Sequence, residues 1–130
     1  MININKGTYV DDNDNSIVLY GNFANMDVFL AGDITFDVER DIIDNYPYLA
    51  IDILKVAHHG SKYSTCIEFV ELYKPRIAVL SYGYNRYGHP SVEVINRLLS
   101  VSSIIYSTYE DGTLIFSSNY EKEFYLRVIK

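Results

Sequence analysis

The sequence lacks the features that mark a disulfide scaffold or a membrane anchor. Cys66 is the single cysteine, so an internal disulfide is excluded, and a lone thiol within a helical pattern fits a reducing compartment. No apolar run approaches the roughly 20 residues of a membrane span, and the N-terminus has neither the charged start nor the apolar core of a signal peptide. We therefore predict no membrane segment, and the composition favours a cytoplasmic location.

Positive charge is also scarce. The chain has 11 lysines and arginines against 17 aspartates and glutamates, a formal net charge of −6 at pH 7, with no basic stripe. This balance argues against broad electrostatic capture of nucleic acid, although a metal site attracts a phosphodiester locally whatever the net charge. Histidine is rarer still: the chain has three, and their positions carry most of the functional argument.

Apolar and aromatic side chains, in contrast, are abundant. Hydrophobic residues make up 48% of the 130 residues, and thirteen residues are tyrosine. This composition argues against disorder, and the length suits one domain with one core. Because no internal repeat or linker divides the chain, we predict a single domain over residues 1–130.

Hydrophobic periodicity and turn residues predict an α/β fold with a mixed sheet. The predicted elements are, in order, strands at 16–20 and 26–31, a helix over 34–46, a strand at 53–56, a helix over 66–73, a strand at 77–81, a helix over 92–99, and strands at 103–107, 113–116 and 123–129. In the first helix, Glu39 and Asp41 are predicted to face outward. The turn at 110–112 is predicted to join strands 103–107 and 113–116 as a hairpin.

Two of the three histidines lie where an apolar strand ends. Residues 53–56 lead into His58-His59-Gly60-Ser61, and the third histidine, His89, lies in another glycine-flanked loop between a strand and a helix. A buried strand holds its last residues rigidly while the loop beyond opens onto a cleft, so a ligand or base there is both fixed and accessible. The competing interpretation is that these imidazoles cap helices or bond to backbone carbonyls.

Asp33 occupies a similar place after a strand and a glycine. Its carboxylate can bind a metal ion or cap the following helix, and the residue alone does not decide between the two. Next to His58 or His59 at the end of another strand, it would form a carboxylate-imidazole pair. The acidic segment 11–15 is interpreted as a solvated turn, because its oxygen ligands lack the spacing of a calcium loop.

Six short motifs in this order resemble the C-terminal half of a metallo-β-lactamase-fold hydrolase, and most closely the hydrolase domain of the ComEC-type competence proteins. The motifs are Asn15-Ser16-Ile17-Val18-Leu19, Phe29-Leu30-Ala31-Gly32-Asp33, Leu54-Lys55-Val56-Ala57-His58-His59-Gly60-Ser61, Lys74-Pro75-Arg76-Ile77-Ala78-Val79-Leu80-Ser81, Asn85-Arg86-Tyr87-Gly88-His89-Pro90 and Asp111-Gly112. The resemblance implies half of an αββα sandwich, with helices on one face of a mixed sheet.

The resemblance also implies a metal-dependent hydrolase with zinc or manganese. In the family, two metal ions lower the pKa of a bridging water, and the hydroxide attacks a phosphodiester or another ester. By position, Asp33 resembles the bridging ligand, and His58 or His59 the terminal one. His89 would stabilise developing charge, or else it orders the turn before Pro90 by backbone bonding. Ser61 and Ser64 would orient phosphate oxygens through hydroxyl or backbone groups.

The chain departs from the family in lacking the motif His-x-His-x-Asp-His. Two hypotheses follow. The first is a hydrolase component for nucleic acid or another phosphoester, such as a nuclease in DNA uptake, which is completed by a separate N-terminal half and would then work outside the cytoplasm in a competence assembly. The second is a non-catalytic binding or structural remnant that self-associates. Whether the chain is an enzyme is left open.

Partners are implied by the same resemblance. In the complete sandwich two halves pack sheet against sheet, so this half alone would expose an apolar face. We therefore expect either the N-terminal half-domain or a second copy of the chain to cover that face, with a C2 homodimer as the simplest oligomer. The alternative is that the N-terminal segment and the last hairpin fold over it.

Overall fold

The computed structural model describes residues 2–5, 7–23, 25–119 and 123–130, which contain eight strands and three α-helices. The strands are β1 (Ile2–Asn3), β2 (Leu19–Phe23), β3 (Met26–Leu30), β4 (Ile53–Lys55), β5 (Ile77–Leu80), β6 (Ile104–Ser107), β7 (Thr113–Ser118) and β8 (Phe124–Ile129). The helices are α1 (Phe36–Asn45), α2 (Ile67–Tyr73) and α3 (Val92–Ser100), and two short 3₁₀ turns lie at Asn13–Asn15 and Ala57–Gly60.

The main sheet has six strands in sequential order from β1 to β6. The first three pair antiparallel, and β3 to β6 pair parallel, with α1, α2 and α3 as the successive crossovers. Crossover helices return the chain to the start of the next parallel strand, so the loops after β3, β4 and β5 meet at one edge. The predicted α/β class with a mixed sheet is confirmed.

Alternate residues of the parallel strands face the helices. Phe29, Leu54 and Ala78 lie side by side in register and belong to one buried cluster. The helices contribute to this cluster Val38, Ile42, Phe69, Val70, Val94 and Leu98. All three helices therefore cover the same face of the sheet, which is compatible with half of an αββα sandwich.

The opposite side of the sheet, which we call the open face, is apolar apart from one lysine and is formed by Phe23, Val28, Leu30, Ile53, Val79 and Lys55. These residues line an apolar cavity of about 390 Å³, and Leu30 is 36% exposed. Phe116 of β7 lines the same cavity, so the β7–β8 hairpin covers part of this face. The face is partly covered by the chain itself and partly accessible.

The predicted hairpin between strands 103–107 and 113–116 is wrong. Strand β6 instead joins the main sheet beside β5, and β7 pairs antiparallel with β8 in a separate two-stranded sheet. The Asp111 side chain accepts a hydrogen bond from Ser107 N–H at 2.8 Å, which closes the intervening turn on the end of β6. Pairing with β5 uses the backbone groups of β6, and this long-range contact is absent from the local turn pattern.

A second correction concerns Glu39, which was predicted to face outward with Asp41. Glu39 is 2% exposed, whereas Asp41 is exposed as predicted. The Glu39 carboxylate accepts hydrogen bonds from the backbone N–H groups of Thr65 and Cys66, at 2.5 and 2.7 Å, just before α2 begins. The unsatisfied amides at the start of α2 explain why a carboxylate is held in the core.

None of the helices in the described ranges combines the length and the apolar character needed to cross a membrane.

Candidate metal centre

The residues predicted as a site come from three loops at one edge of the sheet. Asp33 follows β3, His58 and His59 lie in the 3₁₀ turn after β4, and His89 lies in the loop between β5 and α3. Because β3, β4 and β5 are parallel neighbours, their carboxyl ends bring these loops together. Open α/β sheets bind ligands at this edge.

Asp33 is positioned by contacts of the backbone. Gly32 has φ +63°, and an added Cβ there would lie 2.7 Å from the Cβ of Ser16, so only glycine fits this close turn. The Asp33 N–H then donates to Ser16 Oγ at 3.2 Å. Its side chain is 38% exposed.

The Asp33 carboxylate does not cap the helix that follows. Thr35 is the N-cap residue of α1, and its N–H and hydroxyl donate to the two carboxylate oxygens of Asp14 at 2.7 and 3.0 Å. Asp14 is 4% exposed, so the interpretation of segment 11–15 as a solvated turn is wrong at this position. Since Asp14 serves the helix, the Asp33 carboxylate is left available for another partner.

Two groups approach the Asp33 carboxylate from β4 and its loop. His59 Nε2 lies 3.8 Å from Asp33 Oδ2, and Lys55 Nζ lies 3.7 Å from Oδ1. Lys55 also donates to the carbonyl oxygen of Gly32 at 3.1 Å. Burial lowers the pKa of Lys55, and the charge of Asp33 opposes this change. The carboxylate therefore lies between one fixed cation and one imidazole.

The orientation of His59 is set by a backbone contact. Its Nδ1 lies 2.6 Å from the carbonyl oxygen of Ser81 at the end of β5, so Nδ1 carries the proton and donates. The second ring nitrogen, Nε2, then lies on the side of Asp33. Histidine ligands of metal ions are commonly oriented in this way, by a hydrogen bond from the second ring nitrogen to a carbonyl or carboxylate.

His58 points elsewhere. Both histidines of the pair have positive φ, +47° and +55°, and this left-handed turn separates their side chains. The His58 ring lies 5.8 Å from the His89 ring, nearly edge to face. His58 Nδ1 and His89 Nδ1 are both buried, and no described residue hydrogen-bonds to either. Asp33 pairs with His59, and His58 pairs with His89.

His89 is held by its loop. Its N–H donates to Asn85 Oδ1 at 3.1 Å, and the Asn85 side-chain amide donates to the His89 carbonyl oxygen at 2.7 Å. Burial lowers the pKa of His89, and the charges of His58 and His59 lower it further. The neutral imidazole is therefore favoured near pH 7.

The two serines of the histidine loop are buried. Ser61 is 3% exposed, and its hydroxyl accepts a hydrogen bond from Tyr63 N–H at 3.4 Å. Ser64 is fully buried and donates to the carbonyl oxygen of Ile34 at 2.7 Å. In this arrangement both hydroxyls stabilise the loop, and neither reaches the cleft.

Asp33 and His59 fit as two ligands of one divalent ion. Two ligand atoms held about 2.1 Å from a tetrahedral zinc lie roughly 3.4 Å apart, close to the 3.8 Å between Asp33 Oδ2 and His59 Nε2. Catalytic zinc usually has three protein ligands. Within the described ranges, no group of three His, Cys, Asp or Glu side chains is close enough to hold an ion. The edge thus offers part of a coordination sphere.

Two members of this arrangement were missed by sequence reasoning. Lys55 was predicted only as part of an apolar strand. The Ser81 contact is made by a backbone carbonyl, which every residue type has, so the identity of residue 81 does not indicate it. A single lysine that interrupts a buried strand just before a candidate ligand is the signal that could have identified Lys55. No comparable signal exists for Ser81, because the contact depends on the pairing of β4 with β5.

Comparison with known proteins adds independent information. Over 103 residues the chain is 37% identical to ComE operon protein 3 of Bacillus subtilis. This alignment covers 78% of the chain and 13% of the relative. It is 32% identical over 109 residues to competence protein ComA of Neisseria gonorrhoeae, covering 82% of this chain and 16% of the relative. It is 31% identical over 102 residues to recombination protein 2 of Haemophilus influenzae, and this alignment covers 78% of the chain and 13% of the relative.

The chain is a homologue of competence proteins. It spans between 13% and 16% of the length of these relatives, so it corresponds to one part of them. No protein-family model matches the chain. The resemblance to competence proteins is confirmed, whereas the metallo-β-lactamase fold and the hydrolase activity stay predictions.

Proposed function

We propose that this chain is the C-terminal half of a metal-dependent hydrolase domain of the metallo-β-lactamase type, which acts on nucleic acid or another phosphoester in DNA uptake. The observation that carries the proposal is the Asp33–His59 pair, with 3.8 Å between Oδ2 and Nε2 and with His59 Nδ1 hydrogen-bonded to the Ser81 carbonyl oxygen. The names of the homologues support a role in competence. The substrate and the reaction rest on the site and on the resemblance.

In this proposal Asp33 and His59 hold a divalent ion, zinc or manganese. The bound ion would supply a hydroxide at neutral pH and neutralise charge on the phosphoester. His89, neutral near pH 7, offers a hydrogen bond to the substrate or leaving group. His58 sets the ring orientation of His89 through their edge-to-face contact. We assign Ser61 to holding the loop, since its hydroxyl is buried.

The proposal requires a second protein segment. Asp33 and His59 supply two ligands where three are usual, and the open face exposes apolar side chains that a second layer would cover. A segment containing His-x-His-x-Asp-His would provide both the missing imidazoles and the covering sheet. Assembled in this way, the protein would act on DNA during its uptake, outside the cytoplasm.

A non-catalytic role is the second candidate. The observation that favours it is the Lys55 ammonium, 3.7 Å from Asp33 Oδ1, because a fixed cation already balances the carboxylate. In that case the edge would be held together by the ion pair and the chain would serve as a binding or structural module. Metal affinity separates the two candidates.

We expect the isolated chain to bind zinc or manganese weakly and to hydrolyse bis(p-nitrophenyl) phosphate no faster than a His58→Ala, His59→Ala variant. The reason is the incomplete ligand set in the described residues. Calorimetric titration should show weaker metal binding for His59→Ala than for the matched His58→Ala variant, because His59 lies beside Asp33 and His58 lies beside His89. Adding a polypeptide that carries His-x-His-x-Asp-His should produce metal-dependent hydrolysis.

Two outcomes would count against the proposal. A robust metal-dependent rate from the pure chain, abolished in the double variant, would show that no second segment is needed. Metal affinity unchanged by His59→Ala would remove Asp33 and His59 as ligands and favour the structural role.

A further inference from the structure

A tyrosine-rich cavity adjoins the candidate metal centre. It has a volume of about 590 Å³, and its walls include Tyr82, Tyr84, Tyr87, His59 and His89. Tyr84 is 85% exposed and Tyr87 is 84% exposed, so neither ring contributes much to the core. Both rings are therefore accessible to a ligand, and aromatic side chains combine a large apolar face with a polar hydroxyl group.

The rings are presented by an ordered loop. The Asn85 side chain donates to the carbonyl oxygens of Gly83 and His89 and accepts from the N–H groups of Tyr87 and His89. These four hydrogen bonds fix the chain between residues 83 and 89, on both sides of Tyr84 and Tyr87. Preorganisation of this kind lowers the entropic cost of binding.

Two aromatic pairs provide flat surfaces on this side of the molecule. The Tyr87 and His89 rings stack with centroids 6.0 Å apart and an interplanar angle of 25°. The Tyr82 and Tyr109 rings stack at 5.5 Å and 29°. Tyr87 is largely exposed, so its ring presents a face on which an unpaired base can stack.

The cavity also reaches one of the two proposed metal ligands. His59 lines the cavity and at the same time lies 3.8 Å from Asp33. A base bound among the tyrosines would therefore place its own phosphodiester near the Asp33–His59 pair. None of the described residues that line the cavity is Lys, Arg, Asp or Glu, so stacking, and not phosphate contact, would provide most of the affinity.

We propose that this cavity binds an unpaired nucleobase of a single-stranded polynucleotide by stacking on Tyr84 and Tyr87. This inference rests on the proposed function, because it names the substrate that the same site would take. A duplex has its bases stacked inside and offers no free face, so it is a poor ligand. Because few phosphates are contacted, the affinity depends weakly on salt concentration.

The test is fluorescence anisotropy of the chain with a labelled thymidine oligonucleotide in EDTA. The comparison ligands are an abasic oligonucleotide of equal length and charge and a duplex of the same sequence. We expect both to bind at least about fivefold more weakly, since one stacked base contributes about 1–3 kcal/mol. The Tyr84→Ala, Tyr87→Ala variant should show the same loss, and the corresponding Phe variant should retain binding because the rings remain.

Tyr48→Ala is the matched control, because Tyr48 is 96% exposed and lies outside the cavity. The proposal is overturned if the chain does not bind the oligonucleotide, if the abasic ligand binds equally well, or if the Ala variant binds like the parent. Competition by thymidine monophosphate as effective as by the oligonucleotide would indicate a free-nucleotide site and would also overturn it. Because EDTA removes metal ions, these measurements test base binding alone. A negative result would overturn the base-binding site and would leave the proposed metal site to be tested by the metal titration of His59→Ala.

Discussion

At the scale of single residues, Glu39 is a carboxylate held in the described core. Its two carboxylate oxygens bind the N–H groups of Thr65 and Cys66, and Arg97 lies close enough to favour the charged form. Burial outweighs these contacts and raises the pKa of Glu39 from its usual 4.5 to about 7. Arg97 in turn donates to the carbonyl oxygens of Ser64 and Thr65, so both side chains hold the same loop.

This raised pKa predicts a pH dependence of stability. Between about pH 4.5 and 7 the folded state keeps a proton that the unfolded state releases, so the free energy of unfolding falls as the pH rises through this range. The change is on the order of 3 kcal/mol. Urea unfolding of the parent and of Glu39→Gln should show the parent losing stability relative to the variant from pH 4.5 to 7.

Glu71→Gln serves as the control because Glu71 is exposed on α2, the helix that Glu39 caps. Its stability difference from the parent should not vary with pH over the same range. A Glu39→Gln difference that is equally independent of pH would show that the carboxylate is ionised throughout, stabilised by the two amides and Arg97.

At the scale of elements, the 3₁₀ turn Ala57–Gly60, which contains His58 and His59, packs against the loop that contains His89. The Ser91 N–H donates to the Gly60 carbonyl oxygen at 2.8 Å, at the start of α3. Gly60 has φ +84°, and an added Cβ would lie 2.6 Å from the Cβ of Pro90 and 2.9 Å from Leu80 Cδ2. A glycine at this position is therefore what lets the His58 turn pack against the His89 loop.

We expect Gly60→Ala to lower the free energy of unfolding by about 2–4 kcal/mol, from the left-handed backbone and from the overlap with Pro90 and Leu80. Gly83→Ala is the matched control, because no atom lies within 4 Å of its added Cβ, and its effect should stay within about 0.5 kcal/mol. Denaturant unfolding measures both. Equal stabilities of the two variants would show that the loops do not depend on this close contact.

At the scale of the whole molecule, the open face decides how the chain behaves in solution. Three helices cover one side of the main sheet, and on the other side Phe116 covers only part of an apolar surface that includes Leu30 and Phe23, 36% and 48% exposed. Soluble monomers rarely leave large contiguous apolar patches uncovered. In the isolated chain we expect a second copy to occupy this face as a C2 dimer.

Sedimentation at micromolar concentration tests this expectation. Leu30→Glu should weaken self-association at least tenfold, because it places a charge on the surface that the partner would bury. Leu72→Glu is the control, since Leu72 is exposed to a similar extent on α2. A stable monomer that binds no hydrophobic dye would contradict the expectation and would mean that the β7–β8 hairpin is sufficient cover.

Much of the candidate site followed from local sequence. A carboxylate and two imidazoles directly after predicted strands had to meet once those strands were parallel neighbours. The division of roles did not follow, because His58 and His59 are adjacent and chemically equal in the sequence. Their left-handed backbone and the Ser81 carbonyl separate them, with His59 beside Asp33 and His58 beside His89. Lys55 became a partner of Asp33 only through the pairing of β3 with β4.

Most strand and helix positions, the α/β class and the sheet edge that carries the histidines were determined by the sequence alone, because periodicity, glycine and proline act over a few residues. Strand β2 is an exception, since it spans Leu19–Phe23 and not the predicted 16–20. Tertiary structure decided what depends on distant partners. It placed β6 in the main sheet, brought β7 together with β8, and turned Glu39 and Asp14 inward to the ends of helices α2 and α1. Backbone groups at strand edges and helix ends need hydrogen-bond partners, and these partners can lie far away in the sequence. Local sequence patterns do not identify those distant partners.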